Sequence, residues 1–279
     1  MSRFLLRFTF FLLLVYGGLC LAMYIVQDSL IYYPIKTSHK NDKNAVTVRL
    51  NDEDIVVAYQ ASEGERPVAS GLASEQMSVE QTTTQRSMAL LYFGGNAEDV
   101  SLSLPLLAKA FPRVSIHAMH YRSYGGSTGQ ASQKYLFADG LALYDQLKRE
   151  YQTVMVMGRS LGSGVATYVA SQRPVPQLIL VTPFYSLEKV AQDQYPYLPV
   201  RLLLRDKFES YHYAPMVKAN VLMLVAEWDQ LTPLAGSVKL KQEFNAAQAV
   251  ELIVIKQAWH NSISNQPGYL EALRRFGAR

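Results

Sequence analysis

Ser160 stands between two glycines in Gly158-Arg159-Ser160-Leu161-Gly162, directly after the apolar run VMVM and before GVATYVAS. That context predicts a strand turning sharply into a helix with the serine at the apex. The flanking glycines allow a cramped turn and a close helix approach. A serine hydroxyl is a weak nucleophile, so chemistry at this position needs a base to take its proton and dipoles to hold an oxyanion. Five letters recur by chance, and Ser160 could instead cap the helix that begins near Leu161. Further partners in the right order decide between the two.

Two such partners follow. Asp229 lies just beyond the run VLMLV, in AEWDQLTP, where Pro233 marks a helix start. His260 follows the last apolar run, ELIVI, in KQAWHNSI. A neutral imidazole at 260 would accept the Ser160 proton, and a carboxylate at 229 would orient the ring and stabilise its cation. Taken singly, Asp229 reads as a turn residue and His260 as a local hydrogen-bonding group. Glu227 is the nearest alternative acid, closer to the strand, and none of His39, His117, His120 or His212 occupies a loop after the last strand. The ordered set Ser160, Asp229, His260 is the one that makes chemical sense.

The loop after MALLYF reads GGNAED. Gly94 and Gly95 permit a tight turn that leaves the Asn96 amide facing a substrate carbonyl, with the Leu161 amide as the second donor. Asn96 could alternatively cap a helix beginning at Ala97. The second glycine cluster, in YRSYGGSTG, has neither the dinucleotide nor the phosphate-loop spacing. Arg122 in that stretch is expected to pair with an acid such as Asp139, with a substrate carboxylate as the other option.

These groups need elements to position them. From Met88 onward, short apolar runs (MALLY, VSIH, VMVM, LILV, VLMLV, ELIVI) alternate with segments of helical spacing at 99–109, 131–150, 161–171 and 234–244, and Pro267 to Phe276 fits a closing helix. Such alternation demands crossover connections and predicts an α/β fold with a mostly parallel sheet covered on both faces. Before it, 47–50 and 55–59 read as a hairpin around the turn NDED, and the polar residues 61–87 read as either an extended surface insertion or a locally disordered loop, to which no chemistry is assigned.

The amino-terminal segment is different in kind. Residues 8–26 are uncharged and apolar, preceded by Arg3 and Arg7. As a helix they would reach about 28 Å, close to the hydrocarbon thickness of a bilayer. The expected arrangement is a membrane anchor over 1–27, a juxtamembrane connector over 28–45 and a folded domain over 46–279. Basic residues at the start put the amino terminus in the cytoplasm and the domain on the other side. A cleaved signal peptide, giving a secreted or periplasmic protein, is the competing reading, although no small-x-small site precedes Gln27. A lone cysteine, Cys20, excludes an intramolecular disulfide, and 27 basic against 23 acidic residues without charged blocks give no support to a nucleic-acid partner.

Taken together, LIYYP after the anchor, FGGNAED, YRSYGGSTG, GRSLG, AEWDQLTP and the terminal Trp259-His260 resemble the α/β-hydrolase superfamily, especially membrane-anchored serine hydrolases with a serine-aminopeptidase-like domain. The resemblance runs from about Ile31 to the carboxyl terminus. It implies an α/β-hydrolase fold with Ser160 as nucleophile, Asp229 as acid, His260 as base and the Asn96 and Leu161 amides at an oxyanion hole. Where many relatives have HGNA, this chain has Gly94-Gly95-Asn96-Ala97. The resemblance further implies hydrolysis of an ester or thioester on a small acyl substrate, with no cofactor or metal. Peptide cleavage from a free amino terminus and a catalytically silent binding protein are the alternatives. It also implies a cap between the strands ending near Val181 and beginning near Val221; only residues 182–220 fill that interval. Phe184, Tyr185, Tyr195, Tyr197 and LPVRLLL there would form either a small apolar lid or part of the core.

Overall fold

In a computed structural model of the chain, residues 3–62 and 86–278 are described. Most of the polar insertion expected at 61–87 therefore lies outside the described residues.

The chain begins with helix α1 (Arg3–Ile31), then strands β1 (Ala45–Leu50), β2 (Glu53–Gln60) and β3 (Arg86–Phe93). Next come α2 (Leu104–Ala110), β4 (Ser115–Met119), α3 (Gln133–Glu150), β5 (Tyr151–Arg159), α4 (Leu161–Gln172) and β6 (Gln177–Val181). Three short helices follow, α5 (Leu187–Gln194), α6 (Val200–Leu203) and α7 (Ser210–Tyr213). The chain closes with β7 (Asn220–Ala226), α8 (Leu234–Glu243), β8 (Ala249–Ile255) and α9 (Pro267–Gly277).

The eight strands form one sheet in the order β1-β2-β4-β3-β5-β6-β7-β8. β1 pairs antiparallel with β2, and β2 with β4; every other pairing is parallel. The first hairpin turns at Asn51 and Asp52, both at positive φ, a conformation that short polar side chains tolerate. The parallel strands are apolar on both faces because each face is covered. Leu91, Phe93, Val154, Val156, Leu178 and Leu180 join one buried cluster. Their alternating neighbours Leu90, Tyr92, Met155, Met157, Ile179 and Val181 join another, with residues of α2 and α9. This two-residue period is what a strand buried on both sides requires.

Register brings the carboxyl ends of the parallel strands to one edge. Phe93 pairs with Gly158, Arg159 with Val181, Val181 with Leu224, and Ala226 with Ile255. The loops after β3, β5, β7 and β8 therefore emerge side by side, and these are the loops that hold Asn96, Ser160, Asp229 and His260.

The residues of segment 182–220 differ in burial. Phe184 is buried in the core, where its ring lies close to Gly164 of α4. Tyr195 and Tyr197 are exposed. α1 is 29 residues long, with a mean hydropathy of 2.2 in its most apolar window, none of which is buried. It is long and apolar enough to cross a membrane. The helix continues past residue 27 into the expected connector, and its last turns dock on the 182–220 segment. The Gln27 side chain donates to the Leu203 carbonyl at 3.2 Å and accepts from the Arg205 amide at 2.8 Å, while Asp28 pairs with Arg205 at 2.7 Å.

Candidate active site

Ser160 occupies the turn between β5 and α4 with φ +49° and ψ −116°, a sparsely populated region that a non-glycine residue holds only when its surroundings enforce it. Here they do. A Cβ on Gly158 would lie 2.2 Å from the Gly162 carbonyl oxygen, and one on Gly162 would lie 2.1 Å from the Phe93 oxygen. Only glycine permits strand, turn and helix to approach this closely. The Ser160 amide donates to the Val181 carbonyl at 2.9 Å. The Ser160 side chain makes no capping bond to α4, which removes the N-cap alternative and leaves the hydroxyl for another partner.

That partner is His260, whose Nε2 is 2.9 Å from Ser160 Oγ. On the other side of the ring, Nδ1 is 2.8 Å from Asp229 Oδ2. Burial alone would push the Asp229 carboxyl up; the His260 hydrogen bond and charge, together with bonds from Thr232, outweigh it and hold the group below the ordinary carboxylate range. An ionised carboxylate only accepts, so Nδ1 carries the imidazole proton and Nε2 presents its lone pair to the serine hydroxyl.

Thr232 is a participant that the sequence reading missed. Its hydroxyl donates to Asp229 Oδ2 at 2.9 Å and lies 3.3 Å from His260 Nδ1, while its amide and that of Leu231 donate to Asp229 Oδ1 at 2.8 and 3.0 Å. The signal was present in Asp-x-x-Thr after a strand, since an aspartate readily accepts from amides two and three residues on. The remaining histidines go elsewhere: His117 lies 3.1 Å from the Tyr151 hydroxyl, His120 lies 3.1 Å from Ser101 Oγ, His39 pairs with Asp99, and His212 is near Glu209. Glu227 is held by Lys256 and the Gln257 amide and does not join the site.

Gly95 backs onto the turn, so that a Cβ there would lie 3.6 Å from Ser160 Cβ. A polar cavity of about 250 Å³ is bordered by Asn96, Glu98, Arg159, Ser160, His260 and Asn261, among others. Asn96 caps no helix; Asp99 caps the short turn that follows, accepting from the Ser101 amide. The Leu161 amide is the first of α4 and has no carbonyl a turn earlier to bond. Arg122 forms a buried bidentate pair with Asp139 at 2.7 and 3.0 Å, which commits it to holding the loop.

Among the described residues, His39, Asp99 and His120 place three potential metal-ligand atoms within 4.8 Å of one another. The two imidazoles stack, with centroids 5.0 Å apart and planes at 19°. His39 Nε2 lies 2.9 Å from Asp99 Oδ2, and His120 Nε2 lies 3.1 Å from Ser101 Oγ. The cluster ties the connector to the domain.

No protein-family model matches the chain. Uncharacterized protein Rv2307c of Mycobacterium tuberculosis is 31% identical over 270 residues, covering 94% of this chain and 91% of its own. The alpha/beta hydrolase domain-containing protein aho-3 of Caenorhabditis elegans is 28% identical over 193 residues, 67% of this chain and 56% of its own length. Among solved structures, Est1E from Butyrivibrio proteoclasticus superposes with a TM-score of 0.62 at 12% identity, covering 84% of this chain and 97% of that one. The Pyrococcus furiosus esterase Pf2001 gives 0.60 at 15% identity, over 88% and 94%.

Proposed function

The chain belongs to the α/β-hydrolase superfamily, and from that premise we propose that it is a serine hydrolase cleaving a carboxylic ester or thioester through Ser160, His260 and Asp229. The observation that carries this reading is the unbroken relay from the strained Ser160 hydroxyl through His260 to Asp229, at 2.9 and 2.8 Å. In the first step His260 Nε2 takes the hydroxyl proton as Ser160 Oγ attacks the acyl carbon. The carbonyl oxygen, now anionic, is held by the Asn96 and Leu161 amides. His260 then protonates the leaving alkoxide or thiolate, and the acyl group stays on Ser160. Water, deprotonated by the same nitrogen, releases the acid and restores the serine. Asp229 stays ionised throughout and stabilises the imidazolium.

An aminopeptidase needs an anionic group for the substrate's free ammonium. Glu98 borders the cavity, but its carboxylate already accepts from the Gly95 amide and the Tyr92 and Ser103 hydroxyls, each at 2.7 Å. This favours ester or thioester cleavage.

The place we propose for an apolar acyl group is a second cavity of about 300 Å³, whose lining shares no residue with the cavity at Ser160. Its wall includes Met23 and Ile31 from α1, Val190, Leu198 and Leu203 from the 182–220 segment, and Leu231 from the Asp229 loop. Leu203 is the residue that tests it, because Leu202 is 82% exposed and absent from this wall. Leu203→Gln should lower long-chain ester turnover relative to acetate by at least about tenfold, the scale on which pockets discriminate methylenes. Equal losses on both reject the acyl preference.

α1 anchors the enzyme with Arg3 and Arg7 on the cytoplasmic side and the domain opposite. Signal cleavage after residue 27 would remove the Gln27 contacts to Leu203 and Arg205, which supports the reading that the helix is retained; intact mass of the membrane-extracted protein checks this. The primary test is fluorophosphonate labelling. Wild type should label and Ser160→Ala should not. No labelling of folded wild type refutes the hydrolase.

A further inference from the structure

The connector between α1 and β1 touches the loop after β3 at one atom. The Tyr33 peptide N–H donates to Asn96 Oδ1 at 2.8 Å, and the Tyr124 hydroxyl donates to the same oxygen at 2.9 Å. A peptide N–H can only donate, so the atom facing it must be the amide oxygen, and its two lone pairs are both used. The Asn96 side chain is thus clamped from outside by two segments that are far from it in sequence.

Tyr33 is itself fixed on both sides. Tyr32 is buried, and its hydroxyl donates to Asp206 Oδ2 at 2.6 Å, where the Gln133 amide also donates. Farther along, Ile35 packs against the core, and the His39 amide donates to the Gly125 carbonyl at 2.8 Å. The connector is therefore a strap stitched at 32, 35 and 39, with the Tyr33 N–H held rigidly between the stitches.

The loop it meets needs such support. Ala97 has φ +57°, a left-handed conformation that costs free energy without glycine. The inner side of the loop is held by Glu98 on the Gly95 amide and by the Tyr121 hydroxyl on the Gly94 carbonyl, both at 2.7 Å. Among the hydrogen bonds that grip Asn96 itself, those from Tyr33 and Tyr124 act on the side-chain carboxamide, two rotatable bonds from the backbone whose amide faces Ser160 in the mechanism above.

We infer that the Tyr33 peptide N–H, together with the Tyr124 hydroxyl, is a positioning group for the oxyanion-binding loop, so that acyl transfer depends on the juxtamembrane strap being docked; this rests on the Ser160 chemistry proposed above. The strap is continuous with α1, and the membrane segment is thereby part of what shapes the site, in addition to anchoring it.

The experiment compares Tyr33→Pro with Tyr33→Ala in the full-length protein in detergent. Both remove the phenol, which is largely exposed; only proline removes the N–H. Relative to Tyr33→Ala, Tyr33→Pro should lower kcat and kcat/KM for a short ester together by about tenfold, a fraction of the loss from deleting an oxyanion donor outright, with KM little changed. That split marks an interaction made in the transition state. Tyr124→Phe should move kcat the same way, and covers the case in which the proline variant does not fold. Asn96→Leu combined with Tyr33→Pro should be no worse than Asn96→Leu alone, because the two act through one contact. Equal kcat for Tyr33→Pro and Tyr33→Ala, or an unchanged kcat in Tyr124→Phe, overturns the inference while leaving the hydrolase standing. Folded wild type that fluorophosphonate does not label overturns both.

Discussion

Replacing Asp229 by asparagine tests the relay more sharply than deleting it. Asp229 Oδ1 accepts from the Leu231 and Thr232 amides at 3.0 and 2.8 Å, whereas Oδ2 faces the Thr232 hydroxyl at 2.9 Å and His260 Nδ1 at 2.8 Å. In Asp229→Asn the side-chain oxygen must stay opposite the two backbone amides, since an NH₂ there would meet two donors. The NH₂ is then turned toward His260, donates to Nδ1 and drives the imidazole proton onto Nε2. That nitrogen now points a proton at Ser160 Oγ and can no longer serve as base. The wrong tautomer costs other triads about 10⁴ in kcat, about 5.4 kcal/mol at 1.36 kcal/mol per decade. Asp229→Ala leaves the Thr232 hydroxyl, 3.3 Å from Nδ1, free to accept the ring proton and keep the right tautomer. The alanine variant should therefore be no slower than the asparagine one, although it removes more of the side chain. Steady-state and pre-steady-state hydrolysis of a chromogenic ester measures both. A loss below about tenfold in Asp229→Asn, or alanine clearly slower than asparagine, refutes the tautomer argument.

Arg122→Met strips the buried Asp139 of its bidentate partner and should cost about 3–5 kcal/mol of stability, read as a shift in denaturant midpoint; a loss under about 1 kcal/mol would contradict the buried-pair reading. His120, facing His39, Asp99 and Ser101, has its pKa lowered from 6.5 to about 4 by burial and the neighbouring His39. Its neutral form is favoured in the fold, so the unfolded chain takes up the proton first and stability falls as pH drops from 6.5 to about 4, by up to about 3 kcal/mol. His120→Asn should flatten that slope, and an identical slope removes His120 as its origin. Gly162→Ala drives a Cβ into the Phe93 and Gly94 carbonyls and should lower kcat at least tenfold, whereas Gly236→Ala on α8, with nothing within 4 Å, serves as the tolerated comparison.

The strands, the Ser160 turn and the positions of Asp229 and His260 just beyond strand ends were legible because their constraints are local. A strand buried on both faces must be apolar for its whole length, and a serine at a cramped strand-to-helix turn must be flanked by glycine. What the sequence concealed depends on distant partners. Gln27 at the end of an apolar run reads as the polar edge of a membrane segment, yet its side chain is buried by Leu203 and Arg205. Phe184 reads equally as lid or core, and its burial against α4 is decided by how the chain returns from β6. Asn96 looks like a helix cap until Tyr33 and Tyr124 arrive from either side.

The sheet order explains why such scattered residues can meet at all. β3 and β5 are neighbours although β4 intervenes in sequence, so the loop bearing Asn96 falls against the Ser160 turn rather than a strand away. β7 and β8 lie on the other side of β6, and they reach Ser160 only through long loop side chains: the Asp229 turn, braced by the Thr232 hydroxyl 3.2 Å from the Thr182 carbonyl at the end of β6, and the His260 ring. Ser160 is therefore held rigidly by backbone packing, and His260 and Asp229 by hydrogen bonds. The burden differs accordingly. A Cβ added at Gly158 or Gly162 must displace backbone, while a change at Thr232 alters only the orientation of Asp229 and His260 and should lower kcat without disturbing the fold.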